Sequence, residues 1–397
     1  MALEQTWRWF GPADPISLKE IKQTGAAGIV TALHQIPVGE VWPVEEILKR
    51  KAIIASEGLT WSVAESVPVH EDIKKRKDNY RRSLENYAAS IRNLGQCGID
   101  IVCYNFMPIL DWSRTDLQVE FKDGSITTKF ETKAFAAFDL FILQRPQAEH
   151  SYSTDQIQQA RQYFAGLSES QKEKLKQTVL LGLPGSLDTY TLEELQTAVR
   201  GYEEIGEGEL RENLIAFIKE IAPVAEEAGV LLAIHPDDPP WPLLGLPRVV
   251  RNKADIEQVL QACDAHANGL TFCTGSLGAG FDNNLVEMAE NFANRINFIH
   301  LRNVSCNPEG DFIEDNHLEG NVDMFGVMRA LLLEQKRRIE AGRKDHRMPM
   351  RPDHGHLMLP DQHRKNLYPG YSLFGRMRGL AELRGLELGI QRSLQLA

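Results

Sequence analysis

The chain has 397 residues, 43% hydrophobic and 25% charged, a balance typical of a globular protein with a substantial core. Its formal net charge is −11 and its basic residues form no long run, so we expect no binding to nucleic acid. The five cysteines include no CxxC pair, and neither a signal peptide nor an apolar run of roughly 18 residues is present. These features predict a reduced, cytoplasmic protein without a membrane segment.

Short aliphatic runs recur along the chain and predict strands. Runs such as IVTAL, VLLAIH and NFIHL are continuous rather than alternating, which is typical of parallel strands buried on both faces. We predict eight strands, at residues 6–10, 28–33, 60–66, 100–106, 230–236, 269–275, 296–303 and 348–354.

The segments between these runs have helical periodicity. Apolar residues fall on one face over 80–94 and over 214–225, and Asp323 is placed to cap a further helix. Eight alternating strands and helices predict an α/β protein with a (β/α)₈ TIM barrel, in a single domain over 1–397. A doubly wound open sheet is the alternative, but no glycine-rich phosphate turn follows the first strand.

The connection between the fourth and fifth strands is far longer than one helix requires. Residues 107–210 are therefore predicted to form an insertion within the barrel, on the side where barrel loops shape the active site. Residues 119–121 and 127–130 predict a hairpin with its turn at Asp123 and Gly124. We expect the insertion to act as a cap or as an oligomer contact.

Metal-binding side chains stand at the ends of four consecutive predicted strands. They are His235, Cys273, His300 and Asp353, at or near the carboxyl ends of predicted strands five, six, seven and eight. Each residue alone is more often structural. The strand ends of a barrel meet at one rim, however, so two imidazoles, a thiolate and a carboxylate are expected to converge there. This donor set suits zinc, iron(II), manganese(II) or cobalt(II) better than calcium or magnesium.

Strand periodicity adds two arginines. Arg302 is two positions after His300 and Arg351 is two before Asp353, so each pair of side chains points to the same face. Arginines facing the lumen would bind a substrate carboxylate, whereas arginines on the outer face would form salt bridges. By the same reasoning, Gly275 is expected to leave room for a ligand beside the thiolate.

Further polar residues follow the third and eighth strands. His354 comes directly after Asp353, and a Pro-Gly turn is expected to hold Tyr371 over the rim. Asp353, His354 and Tyr371 are therefore the candidates for acid and base. His70 is expected either to bind substrate hydroxyls or to cap a loop.

Nine longer motifs are spread over almost the whole chain. They are WRWFGPADPISL (7–18), TALHQIPVGEVW (31–42), SVPVHEDIK (66–74), CYNFMPILDWSRTDL (103–117), HPDDPPWPLLGLPRVV (235–250), FCTGSLG (272–278), HLRN (300–303), MRPDHGHLML (350–359) and NLYPGYS (366–372). Together they resemble the mannonate dehydratase family. Strings as long as HPDDPP and RPDHGH make this resemblance specific.

The resemblance implies a xylose-isomerase-like barrel that removes water from D-mannonate to give 2-keto-3-deoxy-D-gluconate, with Mn²⁺ or Fe²⁺ as cofactor. It implies metal ligands at His235, Cys273, His300 and Asp353, and a catalytic tyrosine at Tyr371. The expected partners are a small sugar-acid substrate, bound with help from Arg302, Arg351 and His70, and further copies of the chain in a homo-oligomer.

Three other functions compete with this interpretation. A metal-dependent sugar isomerase or epimerase on the same barrel would act on neutral sugars, so arginines in the site favour the acid. A metal nuclease would need more ligands and a basic groove, which the net charge of −11 disfavours. A non-catalytic barrel would have no need of a complete ligand set.

Overall fold

The structure, a computed structural model, describes residues 2–181 and 190–395. The strands are β1 (Glu4–Arg8), β2 (Gly28–Thr31), β3 (Thr60–Glu65), β4 (Ile101–Tyr104), β5 (Asp116–Glu120), β6 (Ile126–Phe130), β7 (Leu231–Ile234), β8 (Leu270–Cys273), β9 (Ile296–His300), β10 (Val304–Cys306), β11 (Phe312–Glu314) and β12 (Pro349–Arg351). The α-helices are α1 (Leu18–Gln23), α2 (Val44–Ser56), α3 (Glu71–Lys75), α4 (Tyr80–Gln96), α5 (Thr132–Ala137), α6 (Thr154–Ala165), α7 (Glu169–Leu180), α8 (Leu192–Arg200), α9 (Glu207–Ala228), α10 (Lys253–Gln261), α11 (Thr274–Ala279), α12 (Leu285–Phe292), α13 (Met324–Glu340) and α14 (Leu373–Ser393). Within these ranges, no helix combines the length and the apolar character needed to cross a membrane.

The eight predicted strands form a closed parallel barrel in the order β1-β12-β9-β8-β7-β4-β3-β2. The predicted TIM barrel is therefore confirmed, and the open doubly wound sheet is excluded. Small and apolar side chains fill the lumen, among them Val30, Val63, Ile101, Cys103, Ala233 and Phe298. Because the lumen is packed, a ligand can bind only at an end of the barrel, and side chains for chemistry gather at the carboxyl ends of the strands.

All eight barrel strands end earlier than predicted, and the last two differ most, by three residues each. The strand expected over 296–303 stops at His300, because the chain then leaves the barrel to form β10. The strand expected over 348–354 stops at Arg351. Asp353 has a φ of +63°, which lies in the left-handed region and is incompatible with a strand.

The predicted hairpin in the insertion is confirmed. β5 and β6 pair antiparallel, Asp123 accepts a hydrogen bond from the backbone N–H of Ser125, and Gly124 adopts a φ of +80° at the turn. The sheet continues through β11 to β10. These two short strands lie in the connection after β9 and were not predicted from the sequence. The insertion is therefore fastened to a second loop of the rim.

Helices cover the outside of the barrel as their periodicity predicted. The rings of Tyr87 in α4 and Phe217 in α9 meet edge to face at 5.2 Å, and Asp323 caps α13. α14 covers β1, where the guanidinium of Arg376 lies 4.1 Å from the centre of the Trp7 ring. This packing anchors the start of α14, next to the predicted catalytic tyrosine.

Candidate active site and metal centre

Three of the four predicted ligands converge at the rim. His235 follows β7 directly, while Cys273 and His300 are the last residues of β8 and β9. One ligand atom from each lies within 4.8 Å of the other two, and His235 Nε2 is 3.2 Å from His300 Nδ1. Two nitrogens and a sulfur at this separation match the donors of a divalent transition-metal site.

The surroundings of His235 favour positive charge. Its Nδ1 lies 2.7 Å from the carbonyl oxygen of Pro236, so an Nδ1–H donates there and Nε2 faces the cluster. Burial alone would lower the pKa of His235, but the Cys273 thiol and the Glu65 and Asp353 carboxyls raise it to about 9. A negative field of this kind also stabilises a bound cation, so the residues present fit a metal.

His300 is held as a neutral ligand. Burial, reinforced by the neighbouring Arg351 guanidinium, lowers its pKa well below the usual value. Arg351 Nε lies 3.1 Å from His300 Nε2, on the edge of the ring that faces away from the cluster. A neutral ring that binds a metal through Nδ1 carries its proton on Nε2, where the Glu65 carboxylate lies 3.5 Å away. Nδ1, on the other edge, is the nitrogen that faces His235.

Asp353 stands beside the three-residue cluster. Its Oδ2 is 3.8 Å from Cys273 Sγ and 4.0 Å from His300 Nδ1, and it is 3.4 Å from Arg302 Nη1. Burial would raise the pKa of this carboxyl, but the paired Arg351 guanidinium holds it well below its usual range. Asp353 is therefore an anion next to the cluster, and its coordination of a metal remains a prediction.

The two predicted arginines face the rim, but only one of them has an N–H group without a hydrogen-bond partner. Arg351 donates to Glu65 and Asp353 and contacts the His300 ring. Arg302 is buried as well, yet its Nη2 has no hydrogen-bond partner. Arg302 therefore has a donor left for a ligand, whereas Arg351 orients its neighbours. The space opposite Gly275 holds the Arg302 side chain, so the expectation that this glycine makes room for a ligand was wrong.

Arg302 belongs to a closed ring of four charged side chains, here called the ion-pair ring. Arg302 donates to Asp238 (2.7 Å) and Glu314 (2.8 Å), and Arg114 donates to the same two carboxylates at 3.0 and 2.6 Å. All four side chains are buried. The ring joins the start of the insertion to the loops after β7 and β9. Sequence analysis missed Arg114, Asp238 and Glu314, although the first two lie in the quoted motifs.

Removing Arg114 should destabilise the fold strongly. An Arg114→Met variant keeps the apolar bulk but leaves Asp238 and Glu314 to share one guanidinium. We expect the free energy of unfolding to fall by about 3–5 kcal/mol, the usual effect of breaking a buried ion pair. Chemical denaturation measures this. As a control, Lys174→Met breaks the exposed pair with Asp116 and should cost at most about 1 kcal/mol. Equal losses in both variants would contradict a structural role for the ring.

Tyr371 is fixed in the wall of the site. Its backbone N–H donates to the Tyr368 carbonyl at 2.9 Å, which closes the expected turn, and Arg376 donates to its carbonyl. Its ring meets His354 edge to face at 5.1 Å. Burial and the Asp353 carboxylate raise the pKa of Tyr371 to about 12, so the phenol keeps its proton at neutral pH.

Tyr371 and His354 line the same cavity as His235 of the cluster. The cavity occupies about 530 Å³, including the part open to solvent. Its lining includes Arg8, Glu65, Asn105, Asp111, Trp112, His235, Asp238, Arg302, Arg351, Asp353, His354 and Tyr371. Sequence analysis did not single out Arg8 or Glu65, which follow the same strand-end rule in β1 and β3.

His70 lies elsewhere. It caps α3, where its Nδ1 accepts from the backbone N–H of Asp72 at 3.1 Å. It is not among the residues that line this cavity. Of the two roles expected for His70, capping is the one observed, and substrate binding remains a prediction.

Comparisons with known proteins identify the family of the chain. Residues 3–397 match the family model described as D-mannonate dehydratase (UxuA). The chain is 53% identical to mannonate dehydratase of Marinomonas sp. (strain MWYL1), covering 99% of this chain and 100% of that protein. It is 52% identical to mannonate dehydratase of Chromohalobacter salexigens, covering 98% and 99%. The crystal structure of mannonate dehydratase from Streptococcus suis serotype 2 superimposes with a TM-score of 0.78 at 35% identity, covering 99% of this chain and 95% of that one. The chain therefore belongs to the D-mannonate dehydratase family.

Proposed function

We infer that the protein removes water from D-mannonate at this cavity. The observation that carries the inference is that His235 of the three-residue cluster lines the same cavity as Tyr371 and Arg302, whose Nη2 has no hydrogen-bond partner. Dehydration of a hydroxy acid needs a cation site, an anchor for the carboxylate and a proton donor. Family membership supports the same substrate.

His235, Cys273 and His300 would hold the metal, with Asp353 beside them as the fourth ligand. A divalent cation would stabilise the negative charge that develops next to the substrate carboxylate. We propose manganese or iron(II), because the ion must also accommodate the oxygens of a hydroxy acid. The thiolate and the imidazoles disfavour calcium and magnesium.

The remaining residues bind the acid and move protons. Arg302 binds the substrate carboxylate through Nη2, and Arg351 orients Asp353 and His300. The C2 hydrogen of an aldonate is weakly acidic because the adjacent carboxylate already carries charge, so its removal needs a positioned base. We assign that role to His354. Tyr371 gives its proton to the departing C3 hydroxyl, and the C3–O bond breaks to release water.

Loss of water leaves an enol of the 2-keto-3-deoxy acid. This enol becomes the ketone when C3 takes up a proton. The balance is one substrate molecule to one keto acid and one water, with no oxidant or reductant. His354 supplies the proton that C3 takes up, and the enol hydroxyl gives its proton to Tyr371, so both residues are restored with no net gain of protons.

We further propose that the enzyme works in the cytoplasm, as a homo-oligomer, in the breakdown of hexuronates. Five free cysteines fit a reducing compartment. Light scattering in solution tests the assembly, and a monomer at working concentration would refute the oligomer without affecting the proposed activity.

A panel of aldonic acids tests the activity. Purified protein loaded with Mn²⁺ or Fe²⁺ is incubated with D-mannonate, its C2 and C3 epimers and two neutral sugars, and 2-keto-3-deoxy acids are measured. We expect product from D-mannonate and none after chelation. Conversion of the neutral sugars, with no keto acid from any aldonate, would instead identify an isomerase.

A further inference from the structure

One wall of the cavity lies across the barrel from Asp353. This segment, here called the β4 wall, comprises residues 105–112. In the barrel, β4 and β12 are separated by three strands in either direction, so they stand opposite each other. Asn105 and Asp111 line the cavity and are half-buried, and Asn105 Nδ2 donates to Asp111 Oδ2 at 3.4 Å. The proposed mechanism uses neither residue.

The β4 wall is held rigidly from behind. Lys74 Nζ donates to the Met107 carbonyl at 2.7 Å, and Arg248 Nη2 donates to the Leu110 carbonyl at 2.6 Å. Ile109 has a φ of +59°, a conformation that β-branched residues rarely adopt. Such backbone persists only where its surroundings determine it, and it occurs mainly at ligand sites. The wall is therefore a preformed surface.

Charge determines which end of a sugar acid can face this wall. Asp111 presents carboxyl oxygens, which accept hydrogen bonds from hydroxyls and repel a carboxylate. Arg302, with its unpartnered N–H, follows β9, and β9 adjoins β12 on the far side of the barrel. Because Asp111 repels a carboxylate, a six-carbon acid anchored at Arg302 would place its last hydroxyls, and not its acid end, against this wall.

Trp112 gives the wall an apolar part. Its side chain is buried, lines the cavity and meets the His354 ring edge to face at 6.3 Å. Sugar chains expose C–H groups as well as hydroxyls, so an indole beside an amide and a carboxyl matches both kinds of surface. Small-molecule sites commonly combine apolar lining with a few polar groups in this way.

We propose that Asn105 and Asp111 bind the hydroxyl groups at the end of the aldonate remote from its carboxylate, and so set the chain length that the enzyme accepts. The inference rests on the dehydration proposed above. One hydroxyl can donate a hydrogen bond to Asp111 while its neighbour accepts one from the Asn105 amide. The pair can therefore hold two neighbouring hydroxyls at once. Trp112 packs against the carbon chain between them.

Two substrates test the subsite: D-mannonate and the five-carbon aldonate with the same configuration at C2, C3 and C4. Wild-type enzyme should favour the six-carbon acid. Asp111→Asn should lower kcat/KM for D-mannonate by about 10–100-fold, the usual effect of losing a hydrogen bond to a charged group. The kcat/KM for the five-carbon acid should fall by less than about threefold, so the preference for the six-carbon acid disappears. Asn105→Ala should act in the same direction.

The readout separates binding from folding. Where turnover of the shorter acid is too slow to measure, its inhibition constant in competition with D-mannonate replaces kcat/KM. Metal content is measured in every variant. Asp264→Asn, at a fully exposed position, is the matched control and should change neither value. An unchanged preference in both variants, or an equal loss on both acids, would overturn the subsite. Failure of metal-loaded wild-type enzyme to convert any aldonate would instead refute the dehydration itself.

Discussion

Cys273→Ala should lose its bound metal and about 10³-fold of kcat/KM together. The thiol belongs to the three-residue cluster, and its removal leaves two imidazoles and the proposed Asp353 ligand, which hold a divalent ion less tightly than the complete set. The size of the effect follows from the several kcal/mol that a cation contributes to charge stabilisation, at about 1.4 kcal/mol for each tenfold in rate. Elemental analysis and steady-state kinetics measure the two losses.

The control for this variant is another cysteine. Cys263 is a free thiol just after α10 and is not part of the three-residue cluster, so Cys263→Ala should keep full metal content and activity. Because Cys273 is buried, thermal unfolding of both variants shows whether the fold survives. A folded Cys273→Ala enzyme with full metal and normal turnover would remove Cys273 from the coordination sphere.

Tyr371→Phe should lower kcat by about 10²–10⁴-fold, the range for losing a positioned proton donor. The ring still packs against His354 and Phe10, so metal content and thermal stability should stay the same. Steady-state kinetics on D-mannonate measures the effect.

Tyr368→Phe is the matched control for that change. Tyr368 lies in the same turn and its ring packs at a tilt against Phe10, with the centroids 4.5 Å apart, but it is not among the residues that line the cavity. Its kcat should stay within about threefold of wild type. Equal turnover in the Tyr371 variant and the wild type would exclude the phenol as the acid.

The part of the site that sequence predicted best follows one geometric rule. In a barrel the strand ends meet at a rim, so a histidine or cysteine that ends an aliphatic run can be located without knowing any contact. His235, Cys273 and His300 obey this rule and converge. The barrel itself was predictable for a similar reason, because eight buried parallel strands leave eight continuous apolar runs.

Long-range partners could not be predicted in the same way. The strand periodicity indicated that Arg302 and Arg351 share a face with the ligands, but not that nearby carboxylates already occupy most of their donors. Arg114 lies in an insertion with no barrel periodicity, so its position depends on tertiary packing alone. β10 and β11 are three residues each and carry too little pattern to detect.

The ion-pair ring also has a consequence for the order of folding. Arg114 and Glu314 are separated by 200 positions along the chain. Closing so long a loop is entropically costly, so contacts of this kind form late. Most of the barrel can thus acquire its helices and strands before the guanidinium of Arg302 reaches its final orientation. A nascent chain that still lacks its last quarter cannot form the complete rim of the active site. On refolding, catalytic activity should therefore return more slowly than secondary structure.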